Sequence, residues 1–464
     1  MTSPSPLRRR STKAALGGFI LGSIGVLVAS SGDPATASGA EKPPVPIVAP
    51  MRPEAAGLAS LTAAVAPGHR AERPAGAWAI PARSIDPDLA EVEGDRLVQR
   101  LDDGTAVELT LDPMLQRQAS RSLEKYKVEY GVVVAIDPRT GALLALAEHA
   151  EHRPELRHLA LQAEGPAASV FKVITATALV ELGGLAPDQT ICVHGGHKNV
   201  TLYNLRPVPN LDKRCETLAE ALGSSNNVAF ARWADQLLRP AQLQAVADRF
   251  LFNRRLPFLW GVAPSEARIP TGSRLGFARS AAGFEGTHMS PLHAALITAG
   301  LANDGVMMAP RLVRSASRGD ETLYTMEPTA LTTVASPTVA RTVMQMMVAT
   351  TETGTAHKFF YKGGKPRIPG VAVAGKTGSL SQNDTGVARH YSWFVAAAPA
   401  DAPEIVVASL VVNGEQWTVK GAVPARELLD DYFRRKDTGH ADAAPTAADE
   451  PEPAGARAQD DDSE

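Results

Sequence analysis

Three short runs in this 464-residue chain carry residue types that could do chemistry together: Ser169-Val-Phe-Lys172, Ser225-Asn-Asn227 and Lys376-Thr-Gly378. A serine hydroxyl is a weak nucleophile until a base takes its proton, and a lysine becomes that base once burial or a neighbouring cation favours its neutral form. Ser169 and Lys172 stand at i and i+3 at the start of a helical run, so they share a face and the amine can reach the hydroxyl. Lys376 is a second cation whose charge would favour neutral Lys172. Ser225 offers a hydroxyl that could relay a proton to a leaving amine, and Asn227 an amide that could hold a substrate carbonyl. The chemistry this set describes is acyl transfer through a serine ester, with no cofactor and no metal.

Each run also has a plainer use. Taken singly, Ser169 could cap a helix with Lys172 in solvent, and Ser225 and Asn227 could cap the helical run that follows them. Three runs in this order separate the chemical reading from three unrelated caps. Ser224-Ser-Asn-Asn227 permits two registers, and Ser225 with Asn227 is preferred over Ser224 with Asn226. Gly370-Val-Ala-Val-Ala-Gly-Lys-Thr377 matches the phosphate-loop pattern letter for letter. A phosphate loop must open a helix, whereas residues 370–375 alternate like a strand and 378–386 have no helical pattern, so that reading is set aside. On a strand edge, Gly378 would leave room for a peptide, and Thr377 and Ser379 would offer hydroxyls to a carboxylate. His288, His293, His357 and His390 accompany no Gly-x-Ser-x-Gly elbow and read as structural.

These residues need elements to hold them. Residues 106–110 alternate as a strand, and 112–126 have helical spacing behind an Asp cap. Residues 131–136 and 143–147 flank Asp137-Pro-Arg-Thr-Gly141 as a hairpin, and 370–375, 390–398 and 404–413 read as further strands. Helical patterns fill the middle, at 168–182, 218–238, 291–303, 337–350 and 424–436. Strands at both ends with helices between predict an α+β domain with one mainly antiparallel sheet.

The flanks differ in kind. Arg8, Arg9, Arg10 and Lys13 precede an uncharged apolar run, so 1–30 reads as a signal peptide or membrane anchor; cleavage and retention both stay open. The catalytic body is therefore expected to be exported, periplasmic or otherwise extracytoplasmic, and held at the membrane by residues 14–30 where these are retained. Residues 31–105 form an Ala/Pro-rich tether and short pedestal, 106–436 the catalytic domain, and 437–464, with nine carboxylates, an acidic disordered tail. The net charge of -3 shows no basic stripe for nucleic acid. In an exported chain, Cys192 and Cys215 predict a disulfide; free thiols, or a zinc site with His194 and His197, are the alternatives.

With its residues placed, the chain resembles the transpeptidase domain of penicillin-binding proteins from about Leu109 to Phe433. Beyond the three runs, Leu109-Thr-Leu-Asp112, Val134-Ala-Ile-Asp-Pro-Arg-Thr-Gly141, His288-Met-Ser-Pro291, Ala302-Asn-Asp-Gly305 and Thr353-Gly-Thr-Ala356 are similar to stretches of that family. The resemblance implies a five-stranded sheet flanked by helices with an all-helical subdomain. It implies that Ser169, deprotonated by Lys172, attacks the penultimate D-Ala carbonyl of a peptidoglycan stem peptide, with the backbone N–H groups of Ser169 and Ser379 as oxyanion hole. An amine from a second stem would complete a cross-link; water would make the enzyme a D,D-carboxypeptidase. β-Lactams would be covalent inhibitors, or substrates were the chain a β-lactamase or β-lactam sensor on the same fold. The stretch 31–105 is too short for a glycan-polymerising domain, and cell-wall assembly partners are unspecified.

Overall fold

The computed structural model describes residues 81–438 apart from 152–155, 385–386 and 416; the expected signal, most of the tether and all of the acidic tail after Thr438 lie outside the described residues. Among the described residues no helix is long and apolar enough to cross a membrane.

Gly131-Val-Val-Val-Ala-Ile136 is apolar at every position, the pattern of a strand covered on both faces. It forms Tyr130–Ile136, which pairs antiparallel with Leu143–Ala150 around the Asp137 turn. Asp137 Oδ1 accepts from the Arg139 N–H, and its Oδ2 accepts from the Thr140 hydroxyl. On its other side Tyr130–Ile136 pairs with Ile405–Asn413, followed outward by Val387–Ala398 and Ala374–Asp384. The result is a five-stranded antiparallel sheet that joins both ends of the described chain.

The two-residue period of the strands sorts their side chains between two cores. Val133, Ala135, Val407 and Val411 face Leu115, Ala119, Leu428 and Leu429 of the helices Pro113–Lys125 and Ala422–Thr438. Val132, Val134, Val406 and Ala408 face the other way, toward the helices Lys172–Glu181 and Pro291–Ala302. The helical middle continues with Asn227–Leu237, Pro240–Arg249, Arg274–Ala281 and Pro337–Glu352. Asp112, Ser290 and Ser336 cap the helices that follow them through their side chains.

Four local expectations need correction. The helix expected over 218–238 breaks into Leu218–Gly223 and Asn227–Leu237, because Ser225 turns left-handed (φ 59°) and Asn226 caps the second helix at the Ala229 N–H. The strand expected at 370–375 begins only at Ala374 and runs through the polar stretch to Asp384. Upstream, the Ala372 and Val373 carbonyls are taken by the Ala400 N–H and the Thr351 hydroxyl, outside the sheet ladder. Ser169 sits on a 3-10 turn, Ala168–Phe171, and the α-helix starts at Lys172. Finally, the folded body expected from residue 106 starts earlier: Glu91–Glu93 and Arg96–Arg100 join Ala106–Leu109, Val313–Arg318 and Glu321–Thr325 in a second five-stranded sheet.

Candidate active site

The turn bearing Ser169 depends on a close backbone approach. Ala168 is left-handed (φ 48°), and a Cβ on Gly283 (φ +88°) would stand 2.0 Å from the Ala168 carbonyl oxygen. Only glycine lets that segment lie there. Its neighbour Ala282 thereby brings its carbonyl 2.8 Å from Lys172 Nζ. The same amine stands 2.8 Å from Ser169 Oγ and 2.6 Å from Asn227 Oδ1. Three neighbours surround one nitrogen, and this fixes what the nitrogen can do. A neutral amine has two N–H bonds, which Asn227 Oδ1 and the Ala282 carbonyl accept, so its lone pair is left for the Ser169 hydroxyl proton.

The charges favour that state. Lys172 is wholly buried, and burial, helped by the charge of Lys376, pushes its amine well below its ordinary basicity. Lys376 is also wholly buried, and burial lowers its pKa to about 7. Lys376 Nζ donates to Ser225 Oγ at 2.8 Å and to the Thr377 carbonyl at 2.9 Å. A second serine is thus wired to the second lysine. Ser225 occupies a conformation costing a non-glycine residue about 1–3 kcal/mol, which the surroundings must offset. Asn227 is held from behind, its N–H donating to the His197 carbonyl at 2.9 Å and its Nδ2 to the Lys198 carbonyl at 2.7 Å.

The register question has a geometric answer. Ser225 and Asn227 contact the two lysines, whereas Ser224 and Asn226 turn to Glu216, and capping falls to Asn226. Lys376, Thr377, Gly378 and Ser379 lie within the strand Ala374–Asp384, opposite Val395, Phe394, Trp393 and Ser392. No helix follows, so a phosphate loop is not formed. A Cβ on Gly378 would come within 3.1 Å of Val170 Cγ2 and 3.2 Å of Trp393 Cβ. The missing side chain makes room for the Ser169 turn.

Ser169, Ser225, Asn227, Thr377 and Ser379 line one open cleft of about 300 Å³, with Trp393 and Phe284 among its apolar walls. That volume lies at the lower end of the range for ligand sites. Sequence reasoning passed over Thr355, whose hydroxyl is 2.6 Å from that of Thr377 and which also lines the cleft. Its signal lay in Thr353-Gly-Thr-Ala356: a Cβ on Gly354 would stand 2.2 Å from the Gly223 carbonyl oxygen, and this close approach seats Thr355. The four histidines stand elsewhere. His293 is buried with Nε2 2.6 Å from the Phe250 carbonyl and a pKa lowered by burial to about 4. His390 bonds Ser381, His357 stacks on Tyr361, and His288 lies opposite Glu266 in a two-stranded backbone ladder. Cys192 and Cys215 face each other across paired strands and form a disulfide, so neither presents a thiolate to zinc. His194 bonds Asp212, and His197 bonds Arg214.

The sequence model of the penicillin binding protein transpeptidase domain matches residues 131–430. The chain belongs to this family. Peptidoglycan D,D-transpeptidase PbpA of Mycobacterium tuberculosis is 31% identical over 346 residues, covering 67% of this chain and 68% of that protein. Its Mycolicibacterium smegmatis namesake is 28% identical over 342 residues, with the same coverage of 67% and 68%. Among solved structures, penicillin-binding protein A from M. tuberculosis, as an imipenem acyl-enzyme complex, superposes with TM-score 0.57 at 26% identity, covering 70% of this chain and 79% of that one. The D,D-transpeptidase domain of a peptidoglycan glycosyltransferase from Eggerthella lenta gives TM-score 0.59 at 26% identity, covering 72% and 84%. In this penicillin-binding fold the cleft lies where the helical middle meets the edge of the central sheet: Ser169 and Ser225 come from the former and Lys376 from the latter.

Proposed function

We propose that the chain is a serine D,D-transpeptidase that cross-links peptidoglycan stem peptides through an acyl-enzyme on Ser169. The observation that carries this reading is the 2.8 Å contact between Ser169 Oγ and a fully buried Lys172 whose two N–H bonds are otherwise engaged. Lys172 takes the hydroxyl proton as Oγ attacks the carbonyl carbon of the penultimate D-Ala. Backbone N–H groups of Ser169 and Ser379 stabilise the oxyanion. Ser225, linked to Lys376, passes a proton to the departing D-Ala amine, and Asn227 and Thr377 hold the donor peptide. The amine of a second stem then attacks the ester, forming the cross-link and freeing Ser169. A β-lactam takes the same first step, but its leaving group stays tethered and the ester persists. Basic residues ahead of an apolar run at 14–30 support work outside the cytoplasmic membrane, with that run as signal or anchor.

Covalent labelling by a fluorescent penicillin tests the reading. Wild-type protein should label in a denaturation-resistant form and Ser169→Ala should not; label retained by the folded mutant would refute it.

A further inference from the structure

Ser225 is held from both sides by a residue outside all three motifs. Glu216 Oε2 accepts from Ser224 Oγ at 3.0 Å and from Asn226 Nδ2 at 2.9 Å, the residues immediately before and after Ser225. Its other oxygen, Oε1, accepts from Arg214 Nε at 2.9 Å. Arg214 in turn reaches His197 Nδ1 at 3.0 Å, and the His197 carbonyl accepts the Asn227 N–H. Glu216 also stands on a stiff base: its strand Arg214–Thr217 is cross-linked to Thr190–Val193 at the adjacent Cys215, and Thr217 caps the helix Leu218–Gly223 that leads back to Ser224. Burial alone would raise the Glu216 pKa, but hydrogen bonds from Asn226, Arg214 and Ser224 outweigh it and hold the group as a carboxylate.

A left-handed Ser225 with donors pinned on either side can present its hydroxyl to Lys376 in one place only. We propose that Glu216 is a positioning residue for acyl transfer, closing the loop over Ser224–Asn226 so that the Ser225 hydroxyl and Asn227 amide meet the two lysines. The proposal rests on the acyl-transfer reading of the cleft. A positional error of about 1 Å in a proton-relaying group is enough to slow a reaction a hundredfold.

The test measures the acylation rate of full-length protein with fluorescent penicillin, alongside thermal unfolding. Glu216→Ala should slow acylation by about tenfold or more while the protein still unfolds cooperatively. Glu216→Gln should recover to within about threefold of wild type, because one carbonyl oxygen can accept both loop donors while exposed Arg214 swings aside. Wild-type acylation in the alanine variant would overturn the proposal, as would equal losses in both variants, since these mark a role for charge or fold alone. Should Glu216→Ala fail to fold, Ser224→Ala removes one of the two donors, and a wild-type rate there would likewise overturn it. A wild-type protein that takes no label would instead sink the acyl-transfer reading, and the proposal with it.

Discussion

Two buried lysines within each other's field make protonation the controlling variable at the residue scale. In the proposed reaction Lys172 must be neutral to accept the Ser169 proton, and burial with the Lys376 charge depresses its pKa. Lys376 must be charged to feed a proton through Ser225 to the leaving group, and it loses the charge as pH rises through about 7. Acylation should therefore follow a bell, rising as Lys172 deprotonates and falling near neutrality as Lys376 does, with apparent values that belong to the pair. Rate constants for penicillin labelling between roughly pH 5 and 9 check this; a rate still climbing above about pH 8 would contradict it. The motif residues were readable because chemistry restricts their types. Gly283 and the Ala282 carbonyl were not readable, since their partners sit far off in sequence: Lys172 and Ala282 are 110 positions apart. Glu216 lies near its partners Ser224 and Asn226 but in no chemical pattern that would mark it.

At the scale of elements, the hairpin carrying Glu216 owes its stiffness to a covalent link. Cys192 and Cys215 close a loop with a sequence separation of 23, which in the chain-entropy account stabilises the fold by about 3 kcal/mol. Replacing both cysteines by serine should lower stability by roughly that amount in urea titration. Unchanged stability would mean the loop is equally ordered without the bond. Strands with apolar runs and helices with polar caps were legible: the hairpin around Asp137 and the helix behind Asp112 stand where their residues put them. The strand Ala374–Asp384 was misplaced because its polar half carries no hydrophobic alternation and is defined by pairing with Val387–Ala398. The break at Ser224–Asn226 was hidden for a related reason, since apolar spacing continues on either side of a kink that Glu216 enforces.

For the whole molecule, the folded body begins well before the strand at Ala106. Ile85, Leu97 and Val98 are buried, Gln99 donates to the Ser84 carbonyl at 3.0 Å, and Trp260 Nε1 donates to the Ala82 carbonyl at 3.2 Å. A chain starting at Ala106 would strip two strands from the second sheet and remove the pairing partner of the buried Val107. It should unfold at lower temperature and aggregate more readily than one starting at Pro81, as calorimetry and light scattering would record; matching behaviour would show that this sheet is dispensable. These short, polar strands left little trace in the sequence, because a sheet of mixed face shows weak periodicity.

Ser225 and Lys376, joined by one hydrogen bond, are 151 positions apart in the chain. A chain emerging from its amino end holds the nucleophile long before it holds the second lysine, and the edge strand that carries this lysine must dock before the pair can form. On the proposed mechanism, unfinished molecules should be chemically silent toward penicillin. Labelling would then mark completed folding, and a burst of label after synthesis is stopped would time the docking of the strand that carries Lys376.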